Sequence, residues 1–251
     1  MAREKRIGVL VPSTNQTVEP DFYSVLPNDI TIHTERMWSA YSSTPGENEA
    51  DNARINNDLE RAARYVATVG PDLVVYACTG GTYYRGTLEY DLEVAQFIHK
   101  FTNRPAITAV GSSVEALRHM KARRISIAGP YGLFMLRERL TPLIESAGFE
   151  VVSSDGEPEM QQRTDFSVIG NQSTQVIKDF VVRVVRSEAD TVFIPGTAWR
   201  AFEMVEELEQ TLGKTVITVN QATIWMALRK LGWTKPIHGF GQLLRSASHS
   251  C

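Results

Sequence analysis

Two stretches of this chain, 118 residues apart, follow one pattern. Ile7-Gly8-Val9-Leu10-Val11-Pro12 and Ile125-Ser126-Ile127-Ala128-Gly129-Pro130 are each a short strand-like run closed by proline. The same step, from position 7 to position 125, carries Cys78 onto Gly196 and Thr79 onto Thr197. Both of those positions follow apolar runs, Leu73 to Ala77 and Val192 to Ile194, that read as buried parallel strands. Farther along, Ile107-Thr108-Ala109 matches Ile217-Thr218-Val219, and Ala116-Leu117-Arg118 matches Ala227-Leu228-Arg229 after a one-residue slip. A repeat of strand and helix units restricts the chain to an α/β fold made of two copies of a half. Two facing sheets, each ending in a small polar turn, enclose a cleft between the halves, a preferred place for a small ligand.

The turn after Leu73–Ala77 carries the sharpest chemical signal. Cys78-Thr79-Gly80-Gly81-Thr82 stands at the carboxyl end of a strand, where open α/β sheets place their ligands. The backbone N–H groups of Thr79 to Thr82 have little bulk in front of them and can face an anion. A thiol beside them is expected to have its ionised form favoured. The competing explanation is that Cys78 is a small buried residue filling a strand end. After the turn, Tyr90 to Phe101 has apolar residues at helical spacing. A strand at Ala106 to Val110 and a helix at Ser112 to Met120 are expected next. Ser13-Thr14-Asn15-Gln16-Thr17 follows the first strand, and Asn15 suits either a helix cap or a carboxylate. The polar segment Tyr41 to Glu49 precedes a helix expected from about Ala50 to Val69, and its position suits a surface connection or an active-site lid.

Composition removes several alternatives. A chain of 251 residues with 43% hydrophobic and 22% charged residues is large enough for a real core. Net charge is −3 with the signs mixed, so no basic face argues for nucleic acid or a membrane surface. No apolar run reaches 18 residues, which argues against a membrane span. Cys78 and Cys251 are the only cysteines, so a structural disulfide is not expected and the reducing cytoplasm is the expected compartment. The five histidines are scattered without metal-ligand spacing, and no metal is expected.

The Asn15 turn, the Cys78 turn, Gly129-Pro130-Tyr131, Gly196-Thr197 and the two-half layout together resemble the Asp/Glu racemase superfamily, from Ile7 to about Gly241. Pro12-Ser13-Thr14-Asn15-Gln16-Thr17-Val18-Glu19-Pro20 is similar to its maleate cis–trans isomerase branch. Tyr83-Tyr84-Arg85-Gly86 is similar to the arylmalonate decarboxylase branch. The resemblance implies two pseudo-symmetric flavodoxin-like halves, residues 1–111 with 221–251 and residues 112–220, and chemistry without a cofactor. It implies Cys78 as the catalytic residue, with Asn15, Thr79, Gly80, Tyr131, Gly196 and Thr197 around a small dicarboxylate. An exposed helix face in such folds suits self-association into a homo-oligomer.

Racemases and isomerases of this superfamily carry one cysteine per half, and here Gly196 stands where the second would be. One thiol is too few for two-base racemisation, which needs an acid or base on each face of the carbon. Three readings remain open: thiolate addition and cis–trans isomerisation of a 2-ene dicarboxylate, decarboxylation of a malonate with Cys78 as proton donor, and a ligand-binding relative without catalysis. The repeat places Gly196 opposite Cys78, so a thiol moved to position 196 is expected to reach the other face of a substrate. Phe22, Tyr83 and Trp199 suit either an aryl pocket or the core, and Asp165 lies in a stretch whose alignment is loose.

Overall fold

The strands form because their apolar runs are buried on both faces by helices, a condition met by parallel sheets. The computed structural model describes residues 5–39, 54–161 and 166–246. The first sheet contains β1 (Lys5–Pro12), β2 (Ile30–Met37), β3 (Leu73–Tyr76) and β4 (Ala106–Thr108), all parallel, in the order β2-β1-β3-β4. The second contains β5 (Arg124–Gly129), β6 (Glu150–Gly156), β7 (Thr191–Ile194) and β8 (Thr215–Thr218), all parallel, in the order β6-β5-β7-β8. The two orders superpose under the repeat. Ile7 pairs with Ile32 and Leu73 in one sheet, as Ile125 pairs with Val151 and Thr191 in the other.

The helices are α1 (Val18–Val25), α2 (Leu59–Ala67), α3 (Gly80–Tyr83), α4 (Leu88–Thr102), α5 (Ala109–His119), α6 (Thr141–Ser146), α7 (Pro158–Gln161), α8 (Thr174–Val184), α9 (Val205–Leu212), α10 (Val219–Lys230) and α11 (Gly241–Arg245). The two halves switch from strand to helix at equivalent threonines. The Thr108 hydroxyl accepts from Gly111 N at 2.9 Å and starts α5, while Thr218 accepts from Gln221 N at 3.2 Å and starts α10. This cap ends β4 at Thr108, earlier than the expected Val110. The described part of the helix expected over 50–69 is a 3₁₀ turn, Ile55–Asp58, followed by α2. The segment Tyr41 to Glu49, suited to a lid, lies outside the described residues, as do Asp165 and Cys251.

Side chains alternate across the first sheet, and this decides what surrounds the cysteine. Ile7, Val9, Val75 and Ala77 face the core that continues into the second half. Leu10, Val74, Tyr76 and Cys78 face the other way, against Ile55 and Leu59 and the α4 residues Val94 and Ile98. Helix α10 packs chiefly on α5, touches α1, β3 and β4 of the first half, and also touches β8 of the second. Helix α11 instead packs on α9 and β8, where Arg245 pairs with Glu206. We propose the division into residues 1–111 with 221–251 and residues 112–220, with α10 as the helix that returns to the first half. Among the described residues no helix is long and apolar enough to cross a membrane.

Candidate active site

Both sheets aim their carboxyl ends at one cleft of about 520 Å³, its open mouth included. Pro12 and Pro130 close equivalent strands, lack the N–H that a ladder needs, and stand on opposite walls. All seven residues singled out in the sequence, Asn15, Cys78, Thr79, Gly80, Tyr131, Gly196 and Thr197, line this cleft. Their convergence is a consequence of the repeat, because equivalent strand ends from two halves meet there.

Cys78 stands two residues past the end of β3 and is almost fully buried. The turn after it is tighter than expected: Gly80–Tyr83 closes as a single helical turn, α3, and bends back over the sulfur. Gly81 N donates to Cys78 Sγ at 3.4 Å. The expectation of a thiol with its ionised form favoured is nevertheless reversed. Burial pushes the Cys78 thiol up, and the Gly81 N–H, the Tyr76 hydroxyl and the Gly80 N–H pull it back only in part. Loss of solvation acts on the whole sulfur, whereas each donor offers one hydrogen bond. This arrangement favours the protonated thiol while keeping donors aimed at its anion.

Asn15 does both things that its position suits. Its Oδ1 accepts from Thr17 N and Val18 N, each at 3.0 Å, and so caps the start of α1. With the oxygen committed to the cap, Nδ2 is left to face the cleft and reaches Thr197 Oγ1 at 3.4 Å. On the other side, Thr79 Oγ1 and Tyr131 Oη share a hydrogen bond of 2.7 Å that joins the halves. The described lining of the cleft thus offers an amide N–H, the hydroxyl groups of Thr14, Ser39, Thr79, Tyr131 and Thr197, and backbone N–H donors. None of the described lining residues is a lysine, arginine, histidine or carboxylate. Among the described residues no group of three or more His, Cys, Asp or Glu is placed to hold a metal.

The second-half turn is held by other means. Thr197 carbonyl accepts from Thr17 Oγ1 and from Asn220 Nδ2, the latter at 3.0 Å. Asn220, at the start of α10, also donates to Asp21 of α1 at 2.6 Å. Gly196 has φ +142, and a Cβ built there would lie 2.8 Å from Pro130 Cγ and 3.1 Å from Cδ. That conformation and the proline ring require glycine at this position. The expected transfer of the thiol to position 196 therefore meets a backbone that does not accommodate a side chain.

Phe22, Tyr83 and Trp199 resolve to the core. All three are buried, none is among the described residues lining the cleft, and Trp199 Nε1 donates to Gln172 Oε1 at 2.7 Å. Tyr131 is the one aromatic ring among the described lining residues. Sequence reasoning missed Ser39 and Ile55, which also line the cleft, one on each side of the segment suited to a lid. It missed Asn220, for which a position 199 residues from Asp21 gives no local signal. It also missed Tyr76, although the two-residue period of a strand puts it on the face of Cys78.

A family model described as arylmalonate decarboxylase matches residues 7–244. The maleate isomerase of Nocardia farcinica is 27% identical over 254 residues, 97% of each chain. A solved structure of the Nocardia farcinica maleate cis–trans isomerase, a cysteine-to-serine mutant with a covalently bound succinylcysteine intermediate, has a TM-score of 0.86 and 25% identity, covering 97% of this chain and 99% of that one. A crystal structure of arylmalonate decarboxylase has a TM-score of 0.75 at 19% identity, a likeness of fold covering 96% of this chain and 99% of that one. With the match running through both halves and across both turns of the cleft, this chain belongs to the arylmalonate decarboxylase family.

Proposed function

We propose that the protein is a cofactor-independent cis–trans isomerase of a small 2-ene dicarboxylate, with maleate as the first substrate to try and Cys78 as the nucleophile. The observation that carries this reading is the cleft itself: one buried thiol, donors from both halves, and one aromatic ring. Isomerase relatives spanning the whole chain support it. One carboxylate is placed against Thr79, Tyr131 and the Gly80 backbone, the other against Asn15 Nδ2 and Thr197. The thiol proton leaves to water, and Sγ bonds to one alkene carbon. The π pair moves to the other carbon and into its carboxylate as an enediolate, which the hydroxyl and amide donors stabilise. The carbon–carbon bond is now single and turns. The electron pair then returns, the C–S bond breaks, the trans dicarboxylate leaves, and the Cys78 thiolate takes a proton back from water.

Decarboxylation of a small disubstituted malonate is the second reading, favoured by one specific observation: a single thiol faces a glycine that has no room for another. In that chemistry CO2 leaves, the same donors hold the enediolate, and Cys78 gives its proton to carbon. Proton NMR of the protein with maleate, and separately with phenylmalonate, distinguishes them. Fumarate signals without decarboxylation support the isomerase. Loss of CO2 without fumarate supports the lyase, and neither reaction returns the protein to the non-catalytic reading.

A further inference from the structure

Beside the cleft, on the face of the first sheet away from the second half, a polar chain runs from the buried thiol and Tyr76 to the half-buried Asn56 and Tyr90. Tyr76 is fully buried two residues before Cys78 on the same face of the sheet, and its hydroxyl and the sulfur both lie against Gly81, whose N–H donates to the sulfur at 3.4 Å. The same hydroxyl donates to Asn56 Oδ1. Asn56 Nδ2 donates to the Gly81 carbonyl at 2.8 Å and to Tyr90 Oη at 3.0 Å. Because a carbonyl can only accept, the Gly81 contact fixes the amide with its oxygen toward Tyr76. Gly81 makes the arrangement possible, since a Cβ built there would lie 2.0 Å from the Tyr76 hydroxyl and 2.9 Å from Asn56 Oδ1. The second glycine of the turn therefore leaves the space through which the tyrosine reaches the thiol.

A hydroxyl has one hydrogen to give, and here two acceptors stand within reach of it. Given to Asn56, it leaves the Tyr76 oxygen to accept from the S–H group, which keeps Cys78 protonated. Turned to the sulfur, it stabilises the thiolate and leaves Asn56 Oδ1 without that donor. We propose that Tyr76 and Asn56 are positioning residues that set the protonation state of Cys78, Asn56 by competing with the sulfur for the one hydrogen that Tyr76 donates. The inference rests on the reading of Cys78 as the reacting group. Neither residue is among those that line the cleft, so neither is assigned contact with substrate. The other titratable groups near the pair are Tyr90 and Asp91 of α4, and Tyr131 across the cleft. The neighbours of Tyr76 on β1 and β4 are the uncharged Leu10 and Thr108.

The test is the pH dependence of iodoacetamide alkylation, followed at the Cys78 peptide by mass spectrometry on the full-length protein without substrate. Tyr76→Phe removes the donor and should raise the midpoint, lowering the thiolate fraction at fixed pH about tenfold to a hundredfold. Asn56→Ala removes the competitor and should lower the midpoint. Gly81→Ala should act like Tyr76→Phe, because the new methyl group displaces the hydroxyl. Titration of Asp91 is shared by all the proteins and leaves the opposite signs intact. Shifts of Tyr76→Phe and Asn56→Ala in the same direction, or no shift in Tyr76→Phe, overturn the proposal. Should Asn56→Ala not fold, matching upward shifts in Tyr76→Phe and Gly81→Ala support it and a difference in sign overturns it. The midpoint shifts need no turnover. Opposite shifts in a protein that leaves maleate unchanged would thus uphold this inference while removing the isomerase reading.

Discussion

The two strand-end turns of the cleft began as one sequence pattern and now do different physical work. In the first half, Cys78 is followed by two glycines, and the chain folds into a helical turn that aims N–H groups back at the sulfur. In the second half, Pro195 and the φ of +142 at Gly196 hold the chain against Pro130, and no side chain fits. There the Thr197 carbonyl is fixed from outside by Thr17 and Asn220, and its hydroxyl is met by Asn15. One turn carries a reactive group, and the other forms a rigid wall with a hydroxyl on it. A duplicated half needs only one thiol when the reaction adds a nucleophile to one carbon, whereas exchange of a proton between two faces needs an acid or base on each.

The largest effect expected from this asymmetry is on turnover. Cys78→Ala should lower isomerisation of maleate about a thousandfold or more, since the nucleophile has no substitute in the cleft. Residual fumarate formation near the wild-type rate would remove the distinction between the turns. Moving the thiol, by Cys78→Gly with Gly196→Cys, should not restore activity. The Gly196→Cys change alone should cost about 1–3 kcal/mol of stability, read by chemical denaturation, because it forces a side chain into a glycine conformation. An active double variant would show the second turn to be as adaptable as the first.

Asn15 allows a finer cut, because cap and cleft donor use different atoms of one side chain. Asn15→Ala should lose about 1 kcal/mol of stability with the cap. It should also slow turnover about tenfold to a hundredfold with the donor. Asn15→Asp keeps an oxygen for the cap and places a negative charge where the proposed mode of binding sets a substrate carboxylate. It should therefore retain stability and lose at least as much activity. Equal kinetics in the two variants and the wild type would remove Asn15 from carboxylate binding.

The smallest effect concerns the clamp behind Thr197. Burial, opposed by the Asn220 hydrogen bond, pushes the Asp21 carboxyl up to about 7. The folded protein therefore holds a proton there that the unfolded chain has released. Its stabilising contribution is complete below about pH 4 and is lost as pH rises through 7. Asp21→Asn removes that dependence, so its thermal midpoint relative to wild type should rise between pH 4 and pH 8. The corresponding gain is on the order of 1 kcal/mol, with the partial exposure of Asp21 limiting it. A constant difference across that range would show that Asp21 does not titrate with folding.

The sequence by itself determined the parallel sheets, the duplication and the meeting of the Cys78 and Thr197 turns, while Asn15 and Tyr131 joined them through the resemblance it carries. Buried parallel strands must be apolar along their whole length, and equivalent strands of a repeat end in equivalent places, so local pattern was enough. Gly196 was legible as the partner position of Cys78, but not as a backbone that excludes a side chain, because the excluding atoms belong to Pro130 on another strand. The protonation of Cys78 was misread for a related reason. The turn's N–H donors are written next to the cysteine, whereas its burial depends on α2, α4 and the packing of whole sheets. Aromatic residues were divided between core and cleft only by the fold, which sent Phe22, Tyr83 and Trp199 inward and left Tyr131 at the cleft. Tyr76, Asn56 and Gly81 meet only when strand, 3₁₀ turn and helical turn pack together. A pairing across distant segments depends on three-dimensional distance, which periodicity along the chain does not encode.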